Sequence, residues 1–392
     1  MAMGPKSENQ SPTPGKKPEW APRIWEGSEF FSWLRLLGHN RFAVSLSHLY
    51  IAVIVTFVTL FHTVLRFFQE IWYGQEVKRT EITQPPIFII GHWRTGTTFL
   101  HELLVLDPTH SYPNTFHCFS PNHILLSEEF MTKTFSGLMP SQRPMDNMKA
   151  GWERPQEDEF ALCLLGVPSP YHTIAFPNRP PQHQEFYDLE DISELERKQW
   201  KSSFLRFIKQ LTFRTQKRLV LKSPPHTCRI KVLQELFPEA IFIHIVRDPY
   251  VVYPSTINLW KTLYKTHGLQ KPTFEGLEDH VFETGLRMYN KLEETRSLVH
   301  RSRFYELRYE DLVANPVREM QKMYTHLELG DFETLRPLLR QYLEGVSGYK
   351  TNKYTLTPEM EAEITKRWGS IIERYGYQRH QDDQNQPRRV AS

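Results

Sequence analysis

From Pro85 onward, short runs of β-branched and aliphatic residues alternate with stretches whose apolar residues recur at a helical period. Four runs predict strands, at residues 87–92, 218–225, 240–249 and 303–309. Predicted helices follow them at 97–106, 229–237, about 251–264 and after 315. Strands that alternate with helices form a parallel sheet covered on both faces. The pattern therefore predicts a three-layer α/β/α domain with a central parallel sheet, whose ligand lies at the carboxyl ends of the strands.

An uncharged apolar run, residues 42–65, precedes this domain. Its 24 residues would form about 36 Å of helix, which is long enough to cross the hydrocarbon core of a bilayer. Small and polar residues recur along it at steps of three and four, however, and could pack against protein: Ser45, His48, Ala52, Thr56, Thr59 and Thr63. Association with a membrane is the favoured interpretation. A span, a helix lying on the bilayer and a buried core helix all remain open.

The remaining segments divide the chain. Residues 1–22 are rich in Pro, Ser, Gly and Lys and predict a disordered lead, and 23–84 form an N-terminal helical segment. The main domain is expected to cover 85–378 and to end in a helix that begins with Thr357 as its cap and runs to about 375. An insert at about 107–217, with Pro- and His-rich loops and a helix beginning near Gln156, suggests a lid or a wall of the acceptor site. Residues 379–392 are expected to form a polar tail.

Composition narrows the classes of function. The 392 residues include 48 Lys and Arg against 45 Asp and Glu, a formal net charge of +3. The chain thus lacks the overall basic excess of a nucleic-acid coater, and an anion must be held by a local site. The three cysteines have neither a disulfide-framework nor a zinc-site spacing. We therefore expect a cytoplasmic protein without a metal.

A glycine-containing loop lies between the first predicted strand and its helix. In GHWRTGTT, Gly91 and Gly96 have the spacing of a nucleotide-binding P-loop, whose amides and helix N-terminus hold phosphate oxygens. Thr97 occupies the position of the P-loop lysine, which argues against hydrolysis of ATP or GTP. The cation is Arg94 instead. We therefore predict an anion site formed by five consecutive residues: Arg94, Thr95, Gly96, Thr97 and Thr98.

A second cationic cluster follows the third predicted strand. Arg247 stands at the strand end, and Ser255 comes eight residues later, near the start of the next helix. An arginine and a helix-start hydroxyl suit a second phosphate, unless Arg247 serves only in a structural ion pair. Two phosphate sites on one sheet suggest a bis-phosphorylated nucleotide.

With these motifs the chain resembles the sulfotransferase superfamily, which transfers a sulfuryl group from 3′-phosphoadenosine 5′-phosphosulfate (PAPS) to an acceptor. RTGTT (94–98) is similar to the 5′-phosphosulfate loop, and Arg247 with Ser255 is similar to the 3′-phosphate site. Lys222, in KSP at the end of the second strand, matches the lysine that contacts the sulfuryl group. RYEDLVANP (308–316) and RPQEDE (154–159) also match family segments. The resemblance implies a P-loop-like fold with PAPS as co-substrate, and Lys350 and Lys353 as late cations that close over the nucleotide.

The general base is not settled by the resemblance, because the base positions of the better-known branches carry no suitable residue here. The three acids at 157–159 begin a predicted helix and must point in different directions, so one of them faces inward. Burial could raise its pKa toward the range of a base. We rank Glu157 or Glu159 first, His226 second and His117 third.

Two other classes of function stay open. A P-loop kinase or NTPase would need a lysine at position 97 and a magnesium ligand such as Asp248. A non-catalytic, membrane-attached nucleotide-binding protein would bind without transferring anything. For the sulfotransferase, the partners we expect are PAPS or its desulfated product PAP and an acceptor alcohol, which is lipid-like if residues 42–65 contact a bilayer. The oligomeric state is not predicted.

Overall fold

The central feature of the computed structural model is a five-stranded parallel sheet. Residues 23–135, 150–346, 353–377 and 388–391 are described. The strands are β1 (Ile87–Ile90), β2 (His110–Ser111), β3 (Arg218–Lys222), β4 (Ile241–Val246) and β5 (Phe304–Arg308), in the order β2-β3-β1-β4-β5. The parallel sheet with covering helices that the sequence predicts is confirmed.

Helices cover both faces of this sheet. Their bounds are α1 Phe30–His39, α2 Leu49–Arg79, α3 Thr97–Leu104, α4 Thr115–Phe119, α5 Ile124–Thr134, α6 Asp158–Leu164, α7 Glu194–Thr215, α8 Ile230–Leu236, α9 Pro249–His267, α10 Leu277–Thr295, α11 Tyr309–Ala314, α12 Pro316–Leu327, α13 Phe332–Val346 and α14 Pro358–Arg374. The cap predicted for α14 is present, since the Thr357 side chain accepts a hydrogen bond from the Met360 amide at 3.2 Å.

The middle strand is buried on both faces. Phe88 and Ile90 of β1 belong to one hydrophobic cluster, and Ile87 and Ile89 belong to the cluster on the other side. This is the pattern of a strand with helices above and below it. In the register, Ile89 lies beside Lys222 of β3 and Ile90 lies beside residue 244 of β4. The residues that follow these strands therefore meet at one edge of the sheet.

The region 107–217 contains more regular structure than the sequence predicts for it, which is loops and one helix. β2 adds an edge strand to the sheet, pairing His110 with Arg218, and α7 runs through 22 residues against the core. A two-residue strand is too short to leave a periodic signal in the sequence. The predicted helix near Gln156 is α6.

The apolar run and the helix that contains it have different bounds. Arg41 and Phe42 adopt left-handed φ values of 52° and 53°, so the chain turns there, and α2 begins only at Leu49. It then continues well past Arg66 to Arg79. The helix is long and apolar enough to cross a membrane, but one of its faces packs against the domain. Trp25, Trp33 and residue 55 of the N-terminal segment belong to the same hydrophobic cluster as Phe88.

The structure of the predicted polar tail also differs in part from the expectation. Residues 388–391 form a strand, β7 (Arg388–Ala391), which pairs antiparallel with β6 (Lys353–Leu356). Lys353 begins β6, whereas Lys350 lies outside the described residues, as do the predicted lead 1–22 and residues 378–387. The pairing is made by the backbone, which the polar composition does not reveal.

Candidate active site

The loop between β1 and α3 depends on two glycines with positive φ. At Gly91, with φ 146°, a Cβ would lie 2.6 Å from the Ile245 carbonyl oxygen. At Gly96, with φ 98°, it would lie 2.2 Å from the Tyr309 ring. Both positions therefore need glycine for space as well as for conformation. The Thr95 hydroxyl donates to the His92 carbonyl at 2.8 Å and closes the turn.

The last two residues of the predicted anion site begin α3. Thr97 is buried and Thr98 is half-buried, and both lie in the first turn of the helix. Backbone amides at a helix N-terminus can hold an anion. The placement of Thr97 and Thr98 thus agrees with a phosphate-binding turn, whereas a contact between either hydroxyl and a phosphate stays a prediction. Thr95 differs from them, because its hydroxyl is already used within the loop.

The two predicted phosphate clusters lie in direct contact. Arg94 Nε donates to the Ser255 hydroxyl at 2.8 Å, and Arg247 donates to the Arg94 carbonyl oxygen at 3.1 Å. The Arg247 guanidinium also lies 4.0 Å from the centroid of the Tyr309 ring, and its burial lowers its pKa from the ordinary value. An arginine remains protonated at physiological pH despite such a shift. Two guanidinium groups and a hydroxyl therefore converge beside the N-terminus of α3.

Asp248 has a structural role at this edge. It caps α9, its carboxylate accepting a hydrogen bond from the Tyr250 amide at 2.9 Å. The kinase alternative needs the Asp248 side chain as a magnesium ligand. The capping contact already accounts for an aspartate at this position without a metal role. Ser255 lies in the second turn of α9, close to the predicted place, and is 1% exposed.

Lys222 and Glu157 form the centre of the neighbouring site. Lys222 Nζ donates to Glu157 Oε1 at 2.7 Å, with side-chain exposures of 1% and 13%. The other carboxylate oxygen accepts from the Tyr171 hydroxyl at 2.5 Å, and Tyr171 in turn accepts from Trp93 Nε1 at 3.0 Å. Burial, and then the charge of Glu157, raise the pKa of Tyr171 well above its ordinary value. The phenol is therefore a donor that orients Glu157, and the chain of contacts leads back to the residue before Arg94.

The other two acids of the triplet are fully buried in pairs of their own. Asp158 contacts His226 at 2.5 Å and the Ser223 hydroxyl at 3.1 Å. Burial opposes ionisation of Asp158, but His226 and Ser223 outweigh it, so the pKa of Asp158 lies below its ordinary value. Glu159 pairs with Arg229 and accepts from the Ser169 hydroxyl at 2.6 Å. Glu157 alone of the three is paired with the lysine at the strand end.

The remaining candidate bases are also engaged. His226 is fully buried against Asp158, and His117 contacts Glu128 at 2.9 Å while its Nδ1 accepts from the Asn114 amide at 3.2 Å. Arg214 pairs with the same Glu128. These contacts fix α4 and α6 in place, so they favour a structural role for both histidines. The contacts of Tyr171 with Glu157 and of Tyr309 with Arg247 were not predicted, because tyrosine has no spacing of its own that points to a site.

The buried pair of Glu159 and Arg229 predicts a large effect on stability. Replacing Glu159 with alanine leaves the Arg229 charge buried and unpaired, so we expect about 3–5 kcal/mol loss in the free energy of unfolding. Denaturation in urea measures it. The control is Glu363→Ala, which removes a surface ion pair with Lys366 at 3.8 Å and should change stability by less than about 0.5 kcal/mol. Equal effects of the two substitutions would contradict the role assigned to Glu159.

Substitution of Gly96 tests the account of the loop between β1 and α3. Alanine at this position must adopt a left-handed φ and displace the Tyr309 ring. We expect Gly96→Ala to destabilise the protein by more than about 1 kcal/mol and to weaken nucleotide binding. Gly345→Ala in α13 is the matched control, since a Cβ there meets nothing within 4 Å. Thermal unfolding and PAP calorimetry on both variants check this, and wild-type behaviour of Gly96→Ala would refute the account of the loop.

The chain is similar to known proteins along most of its length. The family model described as the sulfotransferase family matches residues 85–333. The omega-hydroxy-beta-dihydromenaquinone-9 sulfotransferase Stf3 of Mycobacterium tuberculosis (strain CDC 1551 / Oshkosh) is 53% identical over 362 residues, which is 92% of this chain and 93% of the relative.

Solved structures agree with the fold. The crystal structure of sulfotransferase STF1 from Mycobacterium tuberculosis H37Rv has a TM-score of 0.59 at 18% identity and covers 90% of this chain and 94% of its own. That of sulfotransferase STF9 from Mycobacterium avium has a TM-score of 0.58 at 17% identity, with coverages of 79% and 81%. From the family match and the relative that is more than half identical, the chain belongs to the sulfotransferase family and is an enzyme.

Proposed function

We propose that this enzyme transfers the sulfuryl group of PAPS to the hydroxyl of a menaquinone-type lipid alcohol. The observation that carries the proposal is the Lys222–Glu157 ion pair, which lies at the end of β3 beside the anion-binding loop. The family implies PAPS as the donor. The acceptor class follows the relative with 53% identity, whose name specifies a hydroxylated dihydromenaquinone.

The residues present fit the donor. The positive φ of Gly91 and Gly96 lets the chain turn from β1 into α3, whose N-terminal amides can hold an anion. The amides of residues 96–98, with the hydroxyls of the two threonines that begin α3, would hold the 5′-phosphate, and Arg94 would neutralise it. Arg247 and Ser255 would hold the 3′-phosphate. The late cations at positions 350 and 353 keep their role as a prediction.

The chemistry requires charge stabilisation and removal of one proton. During transfer the acceptor oxygen bonds to sulfur while the bond from sulfur to the 5′-phosphate oxygen breaks. Glu157 would take the acceptor's proton, and Lys222 with Arg94 would stabilise the negative charge on the sulfonate and leaving oxygens. The Tyr171 hydroxyl at 2.5 Å holds the carboxylate in place. One ion pair thus supplies both the base and a stabilising cation.

The surroundings of Glu157 suit an apolar acceptor. Tyr171 lies 5.1 Å from Phe160 between ring centroids, and Trp93 lies 5.5 Å from Trp260. These rings are buried against one another, so the environment of the candidate base is apolar. Cysteines 118, 163 and 228 are buried and free, which agrees with a cytoplasmic location.

The experiment that tests the proposal is incubation of the purified protein with 35S-labelled PAPS and, separately, the lipid and the soluble fractions of a cell extract. We expect label in a quinone-type lipid and a sulfuryl adduct by mass spectrometry. Binding of PAP without magnesium, in preference to ATP, should accompany it. Label that enters only soluble products would overturn the acceptor class, and no transfer to any acceptor would overturn the activity.

A further inference from the structure

The long helix α2 exposes a continuous row of large apolar side chains. They are at least 40% exposed and recur at helical spacing from the turn before α2 to about two turns before its end: Leu46, Leu49, Tyr50, Val53, Ile54, Phe57, Leu60, Phe61, Val64, Phe67, Phe68, Ile71 and Trp72. We call this row the apolar face. Monomeric soluble proteins rarely expose so large a contiguous apolar surface. Such a surface indicates a partner.

The opposite side of α2 is fixed to the protein by polar contacts. Gln69 donates to the Asn122 carbonyl at 3.0 Å, and His62 Nδ1 lies 2.5 Å from His123 Nε2. Nearer the start of the helix, the Thr56 hydroxyl accepts from Trp33 Nε1 at 2.9 Å. A helix held in this way cannot be surrounded by lipid on all sides. Only the apolar face is available, which suits a helix that lies in the plane of the membrane interface rather than one that crosses the bilayer.

A basic groove adjoins the apolar face. It has a volume of about 570 Å³, lies between the second half of α2 and α7, and is lined by five cationic side chains: Lys78, Lys198, Lys201, Arg206 and Lys209. Glu70 pairs with Arg206, and Glu235 pairs with Lys201 at 2.5 Å, which leaves the groove with a positive excess. We call these residues the basic groove.

The groove and the apolar face share one flank of α2. Glu70 and Gly74 line the groove, and the exposed Phe67 and Ile71 lie three residues before Glu70 and Gly74, respectively, on the preceding turn of the helix. In a bilayer surface, the apolar side chains would contact the acyl chains just below the headgroups, and the cations beside them would contact the anionic headgroups.

We propose that the apolar face and the basic groove together form a docking surface for an anionic lipid bilayer, with α2 lying in the interface. The proposal deepens the proposed function and rests on it for its purpose, the delivery of a lipid acceptor. α2 packs against the short helix Ile24–Gly27, which packs against α6, the helix that Glu157 directly precedes. The docked surface is therefore one layer of structure away from the candidate base.

Flotation of the full-length protein with vesicles tests the docking. We expect binding to vesicles of phosphatidylcholine with phosphatidylglycerol, and weaker binding to phosphatidylcholine alone. Phe57→Gln with Phe67→Gln should weaken binding to both kinds of vesicle by about tenfold or more. Lys78→Gln with Lys198→Gln should weaken only binding to the anionic vesicles, by about fivefold for each lysine, and raised salt should do the same.

Matched variants elsewhere on the surface provide the controls. Leu298→Gln with Val313→Gln removes apolar side chains of 52% and 49% exposure outside the apolar face, and Lys366→Gln with Lys322→Gln removes exposed lysines outside the groove. Both should bind vesicles like the wild type. PAP binding by calorimetry should be unchanged in every variant, which shows that each one is folded.

Two results would overturn the proposal. One is the absence of wild-type binding to anionic vesicles. The other is a wild-type dimer in analytical ultracentrifugation that dissociates in Phe57→Gln with Phe67→Gln, because the apolar face would then be covered by a second copy of the chain. Vesicle binding is measured without PAPS or acceptor. The docking result can therefore be interpreted even if the proposed function is wrong.

Discussion

Replacing Glu157 with glutamine is expected to lower kcat for sulfuryl transfer by about 10²–10⁴-fold, the range for loss of a general base. The substitution keeps the shape of the side chain and can still accept from Tyr171, whose hydroxyl lies 2.5 Å from the carboxylate. PAP binding should therefore stay close to the wild-type value. Steady-state rates with labelled PAPS and calorimetric PAP binding measure the two quantities separately.

Lys222→Ala is the partner experiment for the same ion pair. It removes the ammonium 2.7 Å from Glu157, and we expect a loss in kcat of about 10²–10³-fold, as for other preorganised electrostatic contacts. Because the two residues act as a unit, the double variant should lose much less than the product of the single losses. Glu363→Gln on the exposed side of α14 serves as the control and should keep full activity.

A particular pattern of rates would contradict this role of Glu157. If Glu157→Gln transferred sulfuryl groups at the wild-type rate while folded His226→Ala did not, the base would be His226 despite its buried contact with Asp158 at 2.5 Å. Glu159→Gln must be compared only at equal folded fraction, because Glu159 forms the buried pair with Arg229. Recovery of part of the rate in Glu157→Asp would support the base role over a positioning one.

Arg247→Met is expected to weaken PAP binding by about a hundredfold while leaving the binding of adenosine 5′-phosphate nearly unchanged. Methionine keeps much of the side-chain volume beside Tyr309, over which the guanidinium lies at 4.0 Å, but it cannot pair with a phosphate. Losing a buried charge contact costs about 2–5 kcal/mol in binding. Ser255→Ala should weaken PAP binding about tenfold by the same route. Calorimetry with the two nucleotides measures the preference for the 3′-phosphate.

The exposed Arg340 on α13 offers the control for this series, and Arg340→Ala should bind both nucleotides like the wild type. Equal weakening of PAP and adenosine 5′-phosphate by Arg247→Met would contradict the assignment. It would indicate that Arg247 supports the loop through the Arg94 carbonyl, which it contacts at 3.1 Å, rather than the 3′-phosphate. Unchanged PAP binding would leave Arg247 without a role in the site.

Local signals in the sequence were sufficient to predict the sheet and the edge at which the candidate site residues meet. The strands β1, β3 and β4 are short, largely apolar runs with a helix after each, and Lys222 ends one of these strands while Arg247 directly follows another. Parallel strands bring these ends together without further information. The contact of Arg94 with Ser255, 161 residues later, follows from this topology.

Contacts between distant segments could not be predicted in the same way. Three consecutive acids must point in different directions, but their partners are chosen by packing: Lys222 for Glu157, His226 for Asp158 and Arg229 for Glu159. Whether the apolar run packs against the protein could not be predicted, for a related reason. Its polar stripe permits packing, and the contacts of Thr56 with Trp33 and of Thr63 with the Phe30 amide show that packing occurs.

The most direct test of the central claim is one reaction followed by mass spectrometry. The protein, PAPS and a menaquinone-type lipid with a terminal hydroxyl are incubated in anionic vesicles, beside the same lipid with that hydroxyl methylated. The account predicts that only the hydroxylated lipid gains a sulfuryl group, at a rate that falls about a hundredfold or more in Glu157→Gln. No sulfated lipid from the wild type, or equal rates for the wild type and Glu157→Gln, would contradict it.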